Sequence, residues 1–326
     1  MPRRLACLAT ALAVVFAACS NGSSGNATGN TGPAADDQEL VAAPASFDLA
    51  VGPPSRFLVG LFSQDRGNVG YGSVELSFSF LGEGQARDEP RPGPKATARF
   101  LPIPGSPEAT GARPTFLRAS EGRGVYAAQV GFDEAGFWEV RLAADLAGAG
   151  QRTATASFEV LPRHRVPAPG EPAIASRNLT VDTPDARPQA IDSRATDTEP
   201  VPDPEPHRTT IADALAAGRP AVVVFATPTF CVSRFCGPVT DMVADLADDY
   251  ADRASFIHIE IWADFEARRL NDAAAEWLTR DGADGNEPWV FLIGADGRIA
   301  ARWDNVATRG EIEALLRDLP LIGAGA

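Results

Sequence analysis

The chain has 326 residues, 44% of them hydrophobic, which is enough apolar surface for substantial cores and, at ordinary domain sizes, for two domains with connecting segments. Its formal net charge is −14, and loss of Arg3 and Arg4 with a leader would make it more negative, so phosphate backbones and anionic lipid faces are repelled. Nucleic acid is therefore not expected as a partner.

At the amino end, Arg3 and Arg4 precede an almost wholly apolar run, Leu5 to Ala18, too short to span a bilayer comfortably. This pattern predicts an export signal over residues 1–18. It ends in Phe16-Ala17-Ala18-Cys19, which resembles the lipobox of bacterial lipoproteins, where small residues precede a cysteine that is acylated and becomes the mature terminus. The resemblance implies a lipid on Cys19, a cell-envelope and extracytoplasmic location, and attachment to a membrane through that lipid. Phe16 replaces the usual Leu, which leaves ordinary cleavage open. Residues 19–38 read as a flexible tether, because Ser20 to Asp36 is rich in Asn, Gly, Ser and Thr and nearly lacks apolar residues.

Residues 39–161 have a hydrophobic period of two, broken by Gly, Pro and Asp clusters. In Val74 to Phe80, the residues Val74, Leu76, Phe78 and Phe80 share one face while Glu75, Ser77 and Ser79 share the other, as in a half-buried antiparallel strand. Comparable runs lie at Phe47–Val51, Phe57–Phe62, Ala98–Leu101, Val125–Val130, Phe137–Leu142 and Ala154–Val160. Short strands with no helical period between them predict an all-β sandwich of immunoglobulin type. The stretch from Gly124 through Val140 also resembles small immunoglobulin-like modules of the bacterial envelope, with Tyr126 and Trp138 expected as core or corner aromatics.

Residues 162–207 change character. Prolines recur, charges alternate and apolar residues are sparse, which predicts an extended linker with polyproline character. His164 and His207 fall in it without partners at metal-ligand spacing, so both are expected to be solvent-exposed loop residues.

From residue 208 to 320 the period switches to 3.6 alternating with strands. Ile211–Ala217 predicts a helix, Ala221–Phe225 a buried strand and Pro238–Tyr250 a helix with Val239, Met242, Val243 and Leu246 on one face. Phe256–Ile261 predicts a strand, Phe265–Arg280 a helix, Trp289–Ile293 and Ile299–Trp303 a hairpin, and Arg309–Leu319 a last helix. Such an order predicts an α/β domain with a central mixed sheet flanked by helices. A buried strand, a cysteine pair entering a helix, Glu287-Pro288 before a hairpin and a terminal helix resemble the thioredoxin fold, and the segment Thr227 to Pro238 resembles thioredoxin-like envelope lipoproteins with a C-x4-C pair. The resemblance implies that Pro288 is cis and packs against Cys231 and Cys236. It implies thiol–disulfide exchange with envelope protein thiols or disulfides, with Cys231, Cys236 and Pro288 as the site and no bound cofactor.

The spacing constrains how the two cysteines meet. On one continuous helix, five residues at about 100° each would set them about 140° apart, too divergent for a disulfide, so Cys231 must lie in the loop. Cys236 then sits at or just inside the helix start, where free amide hydrogens and the helix dipole favour a thiolate. Two registers stay open: Cys231 as exposed attacker with a two-residue insertion, or Cys236-Gly237-Pro238-Val239 as a head in which Cys236 attacks. Once Cys7 leaves with the leader and Cys19 is acylated, Cys231 and Cys236 have only each other as disulfide partners. Two features set the site apart from thioredoxins: Val224 stands where they carry a buried acid, and Phe230 replaces the tryptophan before the first cysteine. A peroxiredoxin reading fails, since Val232 stands where that pattern needs Thr or Ser. The competing expectations are a binding or scaffold protein with an inert structural disulfide, and copper delivery through both cysteines and a later histidine; against the latter, His258 is expected to be packed within a strand.

Overall fold

The computed structural model describes residues 39–84, 89–107, 111–118 and 121–320. The export signal, Cys19 and the tether lie outside the described residues. No helix among the described residues is long and apolar enough to cross a membrane.

The period-two region builds β1 (Leu40–Pro44), β2 (Ser55–Ser63), β3 (Gly67–Gly70), β4 (Ser73–Gly82), β5 (Arg91–Pro102), β6 (Thr115–Phe116), β7 (Gly124–Val130), β8 (Gly136–Leu146) and β9 (Gly150–Val160). These form one nine-stranded sheet in the order β6-β3-β2-β7-β5-β4-β8-β9, with β1 paired to β2, and every pairing is antiparallel. Alternation does what the sequence implies: Val74, Leu76, Phe78 and Phe80 are buried, and they join Phe57, Phe132, Trp138 and Phe158 in one aromatic-rich core. Tyr126 and Trp138 are core residues, with Tyr126 Oη donating to the Tyr71 carbonyl at 3.0 Å. Burial raises the Tyr126 phenol well above its ordinary range.

The strands β1, β3 and β6 are not expected from the sequence, and two of the expected strands differ. Phe47–Val51 is not a strand, and makes a single bridge from Ala50 to Leu161. β5 begins seven residues earlier than expected despite Pro92 and Pro94, because β7 pairs with only Arg99–Pro102 and leaves the proline-bearing half of β5 with one partner strand.

The C-terminal part contains α1 (Pro188–Ile191), α2 (Ile211–Ala216), β10 (Ala221–Phe225), α3 (Cys236–Tyr250), β11 (Ser255–Ile259), β12 (Trp262–Asp264), β13 (Arg269–Leu270), α4 (Asp272–Leu278), β14 (Trp289–Ile293), β15 (Ile299–Asp304) and α5 (Arg309–Leu316). A four-stranded sheet runs β11-β10-β14-β15, parallel between β10 and β11 and antiparallel elsewhere. Val223, Phe225 and Phe291 face Ile211 of α2 and Trp277 of α4, while Val222, Val224 and Leu292 face Val239 and Val243 of α3 and Ile312 of α5. The helix expected over Phe265–Arg280 is instead the β12–β13 hairpin followed by the short α4; Arg268, with φ 52, turns the chain in the left-handed region and ends any helical run there.

These elements correct the expected fold class. An immunoglobulin-like sandwich followed by a thioredoxin-like α/β fold is not the class of this chain, which is mostly β, at 37% strand and 17% helix. A single large antiparallel sheet takes the place of two packed sheets, and the helices are few and short.

The expected linker is also different. Residues 162–207 pack against the C-terminal sheet, burying Val166, Ala168, Ala190, Ile191 and Ala195 together with the polar Ser176, Asn178, Asp192, Ser193 and His207. Proline denies this segment regular ladders without denying it side-chain burial, and its backbone is satisfied piecemeal, as in Val181 N–H to the His207 carbonyl at 2.9 Å.

Candidate functional site

β10 is buried at every position and ends at Phe225. The chain then crosses a ten-residue loop and enters α3 at Cys236, with Phe235 as its N-cap residue. Cys236 lies on the same stripe as Val239, Val243 and Leu246, which pins it against the sheet with no exposed surface. Cys231 stays in the loop and is only partly buried; the turn between the two passes through Arg234 at φ 63. The cysteines are disulfide-bonded, with Cα atoms 6.0 Å apart. Exposure therefore distinguishes the two open registers: Cys231 is the sulfur a macromolecule can reach. Beside it, Val232 is 97% exposed, and Phe230 stacks on Phe265 with ring centroids 3.9 Å apart.

Glu287–Pro288 is a cis peptide bond, and the Glu287 carboxylate lies beside the disulfide. One ligand atom each from Cys231, Cys236 and Glu287 lies within 4.8 Å of the others. Burial pushes the Glu287 carboxyl up to about 8, the charge of Glu260 adds to that, and the Thr227 N–H donated to Oε2 at 3.0 Å opposes it. Glu260, 1% exposed just past β11, is itself raised by burial, against hydrogen bonds from the amides of Ser193 at 2.9 Å and Trp262 at 3.1 Å. Val224 is fully buried and uncharged, and the acid beside the disulfide is Glu287, two residues before β14. Sequence reasoning missed Glu287 because it used the Glu-Pro pair only for its proline; a carboxylate directly before that proline was the available signal.

A second polar cluster lies behind α3. Asp192, His207 and His258 are each 0–1% exposed. His207, expected in solvent, is held against β11: its Nε2 is 2.8 Å from His258 Nδ1, and these nitrogens lie 3.6 and 3.5 Å from Asp192 Oδ2. Burial first, and then the neighbouring His258, push His207 down to about 4. Burial raises the Asp192 carboxyl, but hydrogen bonds from His258 and Arg194 outweigh it and hold the group below the usual carboxylate range. His258 is packed in β11, as its strand position implies. His164, also expected in solvent, is partly buried, with Nδ1 3.1 Å from Asp48 Oδ2 and 2.7 Å from Arg302 Nη2.

Cys231 and Cys236 are thus bonded to each other with the Glu287 carboxylate beside them, Glu287–Pro288 is cis, and Cys19 lies outside the described residues. No protein-family model and no curated protein matches the sequence.

Proposed function

We propose that the chain performs thiol–disulfide exchange through Cys231 and Cys236 as an extracytoplasmic protein lipid-anchored at Cys19, acting on envelope protein thiols or disulfides. The observation that carries this reading is the buried Glu287 carboxyl, held near neutrality in its proton affinity within 4.8 Å of both sulfurs. A disulfide that only staples a loop has no use for a proton carrier.

Starting from the disulfide, a partner thiolate attacks the accessible Sγ of Cys231. The Cys231–Cys236 bond breaks, and Cys236 leaves as a thiolate stabilised by the free amides at the start of α3 and then protonated by Glu287. A second partner thiol attacks the partner's own sulfur in the mixed disulfide and releases Cys231. Two electrons pass from the partner's two thiols to the pair, and the reverse sequence reduces a partner disulfide. Exposed Val232 and the Phe230–Phe265 stack offer apolar contact to a polypeptide beside the reacting sulfur. An oxidising compartment, which the export and lipobox-like signals imply, lets the pair cycle through its oxidised form.

The test uses the full chain, with Cys236→Ser and Cys231→Ser variants. Incubated with a disulfide-bearing peptide, reduced Cys236→Ser should accumulate a mixed disulfide by mass, and Cys231→Ser, whose remaining thiol is buried, should accumulate at least tenfold less. Absence of a mixed disulfide from both variants, with a wild-type pair that resists equilibration with glutathione, would establish the structural staple instead.

A further inference from the structure

We propose that Asp192, His207 and His258 form a binding site for a divalent transition-metal ion of the zinc class, separate from the cysteine pair. The argument begins with hydrogen. His207 Nδ1 faces the Asp203 carbonyl at 2.9 Å and His258 Nε2 faces the Ala226 carbonyl at 3.1 Å. A carbonyl only accepts, so each of these nitrogens carries the N–H of its ring. In the neutral rings the remaining nitrogens, His207 Nε2 and His258 Nδ1, are then bare lone pairs, and they point at each other across 2.8 Å in a fully buried pocket. Two lone pairs at that distance repel unless something positive stands between them, either a proton or a metal ion.

Geometry favours the ion. Asp192 Oδ2 completes a triangle with the two nitrogens, with sides of 2.8, 3.5 and 3.6 Å. A point about 2.05 Å from all three atoms, the usual zinc bond length to nitrogen and oxygen, lies about 0.7 Å out of their plane with one side open, and the two rings need to part by about 0.5 Å to widen the nitrogen–metal–nitrogen angle from about 86° to the tetrahedral value. A shared proton would join the two nitrogens beside the carboxylate, whereas a metal ion takes all three atoms as ligands, and the carboxylate oxygen stands at 3.6 and 3.5 Å from the two rings. The surroundings repeat what metal-bound histidines show: each ring donates its outer N–H to a backbone carbonyl, and the ligating carboxylate is itself held by Arg194, whose Nη2 is 2.7 Å from Oδ2.

Charge fits as well. Arg194 is paired not only with Asp192 but also with Asp203 at 3.0 Å and Asp241 at 2.8 Å. Three carboxylates around one guanidinium leave a double negative charge, the complement of a divalent cation. Two imidazoles and one carboxylate suit zinc better than calcium or magnesium, which want several oxygens, or copper(I), which prefers sulfur. Burial of all three ligands means that the ion enters as residues 192–207 close over β11, so it locks that segment to the sheet behind α3.

The full chain, unfolded and refolded with and without Zn2+, should retain one zinc per chain after dialysis, and its Tm should rise by about 5 °C when free zinc is a hundred times its Kd. Co2+ in place of zinc should give the intense visible bands of a tetrahedral centre. A Cys231→Ser/Cys236→Ser double variant should keep both signals, while the near-isosteric Asp192→Asn and His258→Gln should each lose at least tenfold in affinity. Failure of the wild type to bind stoichiometric zinc, or binding that vanishes with the cysteines, would overturn the proposal without touching the exchange reaction. Both wild-type readouts stand even where a ligand variant does not fold.

Discussion

Glu287 is tuned by where it sits more than by what it bonds. Its carboxyl faces another buried acid, Glu260, and a single amide, so the protonated form is preferred well above the ordinary value of 4.5, up to about 8. In the proposed exchange this lets it donate a proton to a departing Cys236 thiolate at neutral pH, and it has a cost. Between pH 4.5 and 8 the unfolded chain has released this proton while the folded chain still holds it, so stability falls as pH rises through that window and is unaffected outside it. Glu287→Gln keeps the acceptor for Thr227 N–H and removes the titration. Below pH 4.5 the variant should match the wild type in urea unfolding, and above pH 8 it should be more stable by up to ~4 kcal/mol, less whatever water recovers at the partly exposed edge. Its exchange with a peptide disulfide should be about 100-fold slower, with a rate lacking the wild-type inflection near pH 8. An unchanged rate in Glu287→Gln would remove this carboxyl from the chemistry. The cysteines and the proline were legible as residues, and their partner acid was not, because a raised proton affinity is a property of the burial that β10, β11 and β14 create together.

The segment from 162 to 207 behaves as a strap. Ser193 is its point of attachment to the cysteine loop: its N–H reaches Glu260 at 2.9 Å, its Oγ accepts from the Thr227 hydroxyl at 3.3 Å and the Thr229 amide at 3.1 Å, and its carbonyl accepts from the Thr229 hydroxyl at 3.0 Å. Nearby, Asn271 Nδ2 donates to the Ala190 carbonyl at 2.9 Å, and Trp277 Nε1 to Ser176 Oγ at 3.1 Å. Composition alone could not reveal this, since the buried residues of the strap recur with neither a strand nor a helix period and the sequence carries no directional signal. The regular elements were legible for the opposite reason: β10 and β14 are unbroken apolar runs, and α5 carries a capping box from Thr308 to Glu311. Ser193→Ala removes two acceptor contacts to the loop before Cys231 and leaves the backbone contacts in place. Amide hydrogen exchange at residues 227–235 should accelerate about tenfold, corresponding to a lost hydrogen bond, while the second half of α3 stays protected. Uniform acceleration across the C-terminal sheet would mean that the strap holds the whole layer and does not specifically order the cysteine loop.

At the scale of the described residues, which fall within one compact unit, the two sheets meet along a buried polar seam. Arg302 of β15 donates to Asp48 Oδ2 at 2.8 Å and to the Val166 carbonyl at 2.8 Å, and the Arg165 amide donates to Asp48 Oδ1 at 3.0 Å. Alongside, Arg56 of β2 donates to the Val306 carbonyl at 2.7 Å, and the Phe47 amide to Asp304 at 2.7 Å. Partners 117 to 257 positions apart are invisible to local pattern, and a segment read as a flexible linker suggests independent domains; burial of both charges implies coupled ones. Burial raises the Asp48 carboxyl, but His164 and Arg302 more than offset it and hold it below its ordinary 3.8. A depressed carboxylate stabilises the fold above the unfolded value and loses that contribution as pH falls through the folded one. Asp48→Asn leaves Arg302 buried without its counter-charge, which should cost ~3–5 kcal/mol and uncouple the sheets. Calorimetry should show one cooperative transition for the wild type at pH 7 and two for Asp48→Asn, and the wild type should approach the variant as acid protonates the depressed carboxyl. A single, unshifted transition in the variant would mean that the apolar contacts across the seam, and not this ion pair, carry the coupling.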